Sequence, residues 1–158
     1  MDPNAAVAAT YKLVVSFIGL FGNTSFIWAI LRTHEIRTNR SILLTWLCIF
    51  HTVCNVCEII DGIRFYQGVR FTRIQCFTAI APFLYATAHQ ALLYLSISVD
   101  LLYSVKKPLA YNRTAALPYT ILIQAPSIIF ASGGLIAALF NFTDNSPVPI
   151  CNPAWALG

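Results

Sequence analysis

The chain has 158 residues, 58% of them hydrophobic and only 10% charged, where an ordinary soluble domain carries about 25% charge. Ten basic and six acidic residues cannot clothe a soluble globule of this length, so lipid must be the solvent for much of the surface. The net charge of +4 is small and scattered, which argues against nucleic acid as a partner and leaves charge an orienting role.

Met1 to Thr10 carries Asp2 and no basic run ahead of a short apolar core, so no cleavable signal peptide is expected. Four apolar runs follow, each long enough to cross about 30 Å of hydrocarbon at about 1.5 Å per residue. Leu13 to Leu31 lies between Lys12 and Arg32, and Ser41 to Cys57 between Arg40 and Glu58. Ile74 to Val99 runs from Arg73 to Asp100, and Leu117 to Phe140 follows Arg113. The predicted fold is an all-α polytopic bundle, a single transmembrane domain over 1–158 with spans at 11–32, 41–60, 74–104 and 116–140. An outer loop is expected at 141–153, irregular because of Pro147, Pro149 and Pro153, and a fifth span is expected to begin at 154–158.

Short connections force neighbouring spans to run antiparallel. The first and third loops hold Arg32, Arg37, Arg40, Lys106, Lys107 and Arg113, against Lys12, Arg64, Arg70 and Arg73 on the other side. That bias predicts a cytoplasmic first loop and an outside N-terminus. Trp28, Trp46, Tyr103, Tyr111 and Tyr119 fall near the inner boundary, and Tyr11, Tyr66 and Trp155 near the outer one, as amphipathic rings prefer. About half of such rings are expected to pack between helices instead.

Polar groups inside the spans follow helical spacing. Cys48, His51, Asn55 and Glu58 share a face of the second span, and Tyr85, His89, Leu92, Ser96 and Asp100 a face of the third. Ser16, Gly19 and Asn23 do the same in the first, with Gly22 beside them as a site of close helix approach. Two readings stand for these seams. Asn23, His51, Asn55 and Glu58 serve as interhelical packing, the commoner case for any single residue; as a set with Tyr85 and His89 they outline a ligand cavity in the outer half.

Other motifs carry less. Cys54 and Cys57 form a lone CxxC within an apolar helix, better explained by small-residue packing than by redox or zinc chemistry. His51 and His89 sit on two helices, and neutral core histidines are commoner than a metal or haem pair. No metal, cofactor or catalytic residue is therefore predicted. Among the sequons only Asn141-Phe142-Thr143 falls on the outer side, close to the membrane, which makes Asn141 the candidate glycosylation site.

The order of these features resembles the first four helices of a rhodopsin-like G-protein-coupled receptor. Gly22-Asn23 is similar to that superfamily's Gly-Asn pair. Ser98-Val99-Asp100-Leu101-Leu102, followed by Lys107-Pro108-Leu109-Ala110-Tyr111, resembles the end of its third helix, where most members read Asp-Arg-Tyr and then Pro-Leu-x-Tyr. Cys76-Phe77 and Cys151-Asn152-Pro153 bring the likeness closer to the nematode serpentine chemoreceptors of class SRSX, over about Phe17 to Leu157.

That resemblance implies a disulfide between Cys76 and Cys151 and a G-protein-side motif at Asp100, Leu101, Leu102, Pro108 and Tyr111. It implies membrane lipid, a small-molecule ligand and, for the full-length receptor, a heterotrimeric G protein as partners, and the plasma membrane as location. Leu101 stands where relatives carry arginine, so the usual arginine lock is not expected; water is expected to solvate Asp100 at the inner boundary. His51 replaces the sodium-site aspartate, and the fourth span lacks the expected tryptophan. Helices five to seven are absent, so the reading is a truncated chemosensory receptor, which alone is not expected to signal. The rivals are a four-helix membrane thiol oxidoreductase using Cys54 and Cys57, and a noncatalytic membrane scaffold.

Overall fold

The computed structural model describes residues 3–140, 146–148 and 151. Four long helices dominate: α1 (Pro3–Arg32), α2 (Asn39–Gln67), α3 (Arg73–Lys106) and α5 (Ala116–Phe140), with a short α4 (Pro108–Arg113) between the last two. All four are long and apolar enough to cross a membrane. The chain is an integral membrane protein with an all-α transmembrane bundle.

Local chemistry fixes the helix ends. The guanidinium of Arg37 turns back to donate to the carbonyls of Ile30 and Leu31, which the end of α1 leaves without partners. Thr38 caps α2, accepting from the Ser41 N–H at 3.2 Å. Gly68, at φ 65°, closes α2 in the left-handed conformation, and the Val69 N–H reaches back to the Arg64 carbonyl. Gln75 Oε1 accepts from the Thr72 N–H at the start of α3. Pro108 disfavours a helical Lys107, so α3 stops and α4 restarts with the proline at its first turn.

α2 is longer than hydropathy predicts. The sequence ends the second span at residue 60, yet the helix continues to Gln67. At about 1.5 Å per residue, α2 is roughly 43 Å long against about 30 Å of hydrocarbon. Its charged end therefore reaches headgroup depth, and the backbone hydrogen bonds continue where the apolar pattern stops. Pro147 departs from expectation too. It and Val148 (β2) pair antiparallel with Phe71 and Thr72 (β1), and the Arg73 N–H donates to Ser146 O at 2.8 Å. A two-residue ladder is all edge, where proline is tolerated.

α2 and α3 form the centre. α1 packs on α2, while α5 packs on α3 and also touches α2. Antiparallel pairing follows from the contacts: Thr10 meets Tyr66, Arg40 meets Ser104, and Ser96 meets Ile123. One apolar cluster joins Cys76, Phe77, Ile80 and Val148 at the end where the loops meet. Another joins Leu43, Leu47 and Leu93 toward the opposite end. Phe21, Leu122, Ile129 and Phe140 are exposed and would face lipid.

Gly62 permits the α1–α2 contact, since a Cβ there would stand 2.8 Å from Leu13 Cδ2 and 2.9 Å from its Cγ. Gly22, expected to do this, faces open space. The close-approach positions are instead Gly62 and Gly19, over which the Asn55 amide lies.

Candidate functional site

Two polar centres occupy opposite ends of the bundle. The first lies around Cys76 and Cys151, which are joined in a disulfide with a Cα–Cα separation of 5.3 Å. The bridge ties residue 151 to the start of α3, with β2 laid across the same corner. Beneath it two cavities open. The outer one, about 210 Å³, is lined by Cys151, Phe71, Arg70, Asp61 and Arg64. The inner one, about 150 Å³, is bounded by Lys12 of α1, Cys57, Glu58, Asp61 and Arg64 of α2, and Pro82 and Phe83 of α3. Asp61 and Arg64 line both.

Lys12 Nζ stands 2.7 Å from Glu58 Oε2. Arg64 lies over the Phe71 ring at 5.5 Å. Asp61 has no hydrogen bond or salt bridge among the described residues, although Lys12, Glu58 and Arg64 surround it electrostatically. Pro82 has no N–H to offer the preceding turn, so the α3 backbone is itself more polar at this wall.

The second centre surrounds Asp100, whose residue is fully buried. Water does not solvate this carboxylate, contrary to the sequence expectation. Tyr111 OH donates to it at 3.0 Å to Oδ1 and 3.2 Å to Oδ2, and Tyr119 OH donates to Oδ1 at 2.9 Å. Arg40 Nε stands 3.5 Å from Oδ2 while its Nη2 donates to Ser104 Oγ at 2.8 Å. The positive partner that Leu101 does not supply thus comes from α2, and Leu101 is half exposed.

Tyr103, Tyr111 and Tyr119 form a mutual cluster with ring centroids 5.8 to 6.2 Å apart, rather than an interfacial belt. Tyr111 sits on α4, which Pro108 starts. Burial first, then the hydrogen bond and charge of Asp100, push its phenol up to about 12. Leu102 is exposed.

The remaining residues singled out from the sequence distribute between neighbours. His51 Nε2 is 2.9 Å from Tyr94 OH on α3, whereas Asn55 and Glu58 face α1, so the α2 seam serves two helices rather than one pocket. Asn23 is partly buried in α1. His89 is wholly buried, stacked on Phe50 at 4.0 Å, with neither ring nitrogen hydrogen-bonded among the described residues. Neither it nor Tyr85 lines the charged cavities. Tyr85 instead borders an apolar cavity of about 160 Å³ between α3 and α5, with Phe130 and Leu135. Cys54 and Cys57 are free thiols; Cys54 accepts from Gln90 Nε2 at 3.4 Å while Cys57 borders the inner cavity. Asn141 and residues 154–158 lie outside the described residues.

The family described as serpentine type 7TM GPCR chemoreceptor Srsx matches residues 16–158. The chain belongs to this family. No curated protein matches it. As an Srsx chemoreceptor, it is a membrane receptor protein of a seven-transmembrane class, and the described residues supply four candidate spans. The sequence singles out Asp100 and Tyr111, which the structure brings into contact, but not Arg40 and Tyr119 as their partners. Nor does it single out Asp61 and Arg64. A usable signal existed: Glu58, Asp61 and Arg64 continue the second span's seam in steps of three.

Proposed function

We propose that the chain contributes the ligand-entry side and the switch side of a chemosensory receptor. A small ligand enters from outside, beneath the Cys76–Cys151 bridge. Its binding shifts α2 against α3, and the Asp100 centre reports the shift to a heterotrimeric G protein in a receptor with all the spans the family name states. The orientation in this proposal has the N-terminus outside and the plasma membrane as location. The basic residues Arg32, Arg37, Arg40, Lys106, Lys107 and Arg113, gathered at the Asp100 end, support that direction.

The observation that carries the reading is the pair of charged cavities beneath the disulfide, at the end of the bundle where the loops meet. A cavity in which a few charged groups converge is the default site for a small ligand. Asn23, His51 and Asn55 belong in this scheme to helix packing. Leu101, Leu102 and Pro108 form the surface around the switch. Asn141 is proposed as a glycosylated position on the outer side.

The test is protection of Cys57, which borders the inner cavity, from N-ethylmaleimide in membranes carrying the chain. A panel of small water-soluble compounds should contain some that slow labelling of Cys57 while leaving that of Cys48 unchanged. If none does so at millimolar concentration, the cavity is not a ligand site. Four helices alone should give no nucleotide exchange on an added heterotrimer, and robust exchange would refute the division of labour.

A further inference from the structure

Resting on the reading that the ligand enters beneath the disulfide, the charges there define what kind of molecule it is. Lys12 and Glu58 form an ion pair at 2.7 Å. That leaves Asp61 and Arg64, one turn apart on α2 and both lining both cavities. Residues three apart on a helix are placed to form an ion pair, yet these two are not within salt-bridge distance. Asp61 has no hydrogen-bonded partner among the described residues, and Arg64 is held over the Phe71 ring instead. Asp61 and Arg64, without a direct ion-pair partner among the described residues, therefore face both chambers, while Arg70 lines the outer chamber alone.

A simple amine would leave Arg64 facing its positive charge, and a simple carboxylate would bring a second anion beside Asp61. An uncharged ligand would desolvate both groups and pair neither, which is costly. A molecule carrying an ammonium and a carboxylate answers both at once. Size points the same way: a cavity of about 150 Å³ in another protein accommodates benzene, so about six heavy atoms fit the inner chamber. The outer chamber, of about 210 Å³, can take a side chain beneath the Cys151 bridge.

We infer that the ligand class is a compact zwitterion, an α-amino acid or a molecule of the same charge pattern, with its ammonium on Asp61 and its carboxylate on Arg64. Arg64 is suited to the second role because its planar fork matches a carboxylate bidentately. The Lys12–Glu58 pair positions α1 against this wall rather than binding the ligand.

The experiment uses the whole chain in lipid nanodiscs and reads the rate of Cys57 alkylation by N-ethylmaleimide against rising alanine, propionate, isopropylamine or cyclohexanol. Cys54, only 8% exposed, reports folding through its slow labelling. Alanine should protect Cys57, with propionate and isopropylamine needing at least about tenfold higher concentration, because each lacks one charged contact. Asp61→Asn and Arg64→Gln should each weaken alanine protection by at least about tenfold while Cys54 stays slow. Equal protection by either single-charged probe, or undiminished alanine protection in both variants, would overturn the zwitterion assignment. Protection by cyclohexanol alone would overturn it too while leaving the cavity as the ligand site. Protection by none of the four would overturn both.

Discussion

Replacing Asp100 by alanine removes the acceptor on which three side chains converge. Tyr111 and Tyr119 each donate to the carboxylate, and Arg40 stands 3.5 Å away. Hydrogen bonds to a charged group contribute about 1.5–3 kcal/mol each, and breaking a buried pair by removing one member costs about 3–5 kcal/mol. The figures overlap because they count the same contacts, so they are not summed. Arg40 keeps its bond to Ser104 and its side chain is 41% exposed, so water can reach the orphaned cation and the loss belongs mainly to the two phenols. The expected destabilisation is about 3–4 kcal/mol. Asp100→Asn keeps one acceptor oxygen and should lose about half as much.

The assay is unfolding of the purified chain in mixed micelles by titrated sodium dodecyl sulfate, followed by helical circular dichroism. Tyr111→Phe and Tyr119→Phe supply the internal control. Since both phenols act on one carboxylate, the double variant should cost measurably less or more than the sum of the singles, by at least about 0.5 kcal/mol. An Asp100→Ala variant within about 1 kcal/mol of the parent would refute the reasoning. It would mean that the tyrosines find other partners as soon as the carboxylate is gone.

Gly62→Ala should destabilise the chain by about 1–3 kcal/mol in the same assay, because the new methyl meets Leu13 at 2.8 Å. Gly22→Ala, where nothing stands within 4 Å, should be neutral or stabilising by up to about 1 kcal/mol. Cys76→Ser should lower stability by about 2–4 kcal/mol, and reduction should lower the parent alike but leave Cys76→Ser unchanged. Tyr111 has its phenol held up at about 12, above the ordinary value of about 10. Its contribution to stability is therefore whole below pH 10 and is lost as pH rises from about 10 to about 12. Tyr111→Phe should remove that part of the alkaline loss, and absorbance at 295 nm should show one fewer late-titrating phenol.

Sequence carries the spans far better than the sites. Hydrophobic runs of the required length locate all four helices, and Pro108 marks the break after α3, because both signals are local. α2 was cut short at residue 60 because hydropathy falls where Glu58, Asp61 and Arg64 begin, although helical hydrogen bonding is indifferent to that change. With the helix ended too early, Asp61 and Arg64 looked like loop charges. Arg40 was legible only as a topological charge, since its meeting with Asp100 depends on how α2 lies along α3. His89 shows the opposite error. Its helical spacing suggested a cavity, but the ring is sealed by stacking on Phe50, and nothing in a one-dimensional pattern distinguishes a packed polar face from an open one.

The two centres share α2, and that has a mechanical consequence. Asp61 and Arg40 are 21 positions apart on one helix, about 32 Å at its rise per residue. A tilt of about 3° about the Asp61 end would move the Arg40 end by roughly 1.7 Å. The Arg40–Asp100 contact, at 3.5 Å, lies near the outer limit for a close pair, so a shift of this size suffices to make or break it. Packed interfaces respond to such displacements by switching between arrangements rather than by deforming smoothly. A compound that protects Cys57 should accordingly change the late titration of Tyr111, which reads the charge balance at Asp100 with Arg40 opposing the carboxylate's upward pull. Loss of Arg40 from the site should move the phenol further up, and a closer Arg40 should move it down. Tyr111→Phe, which removes one donor to the Asp100 carboxylate, should in turn alter the concentration at which the compound protects Cys57, because substitutions along a coupled element modulate the coupling. If the cavity fills and neither quantity moves, α2 does not transmit between the two ends, and the Asp100 centre is a structural anchor alone.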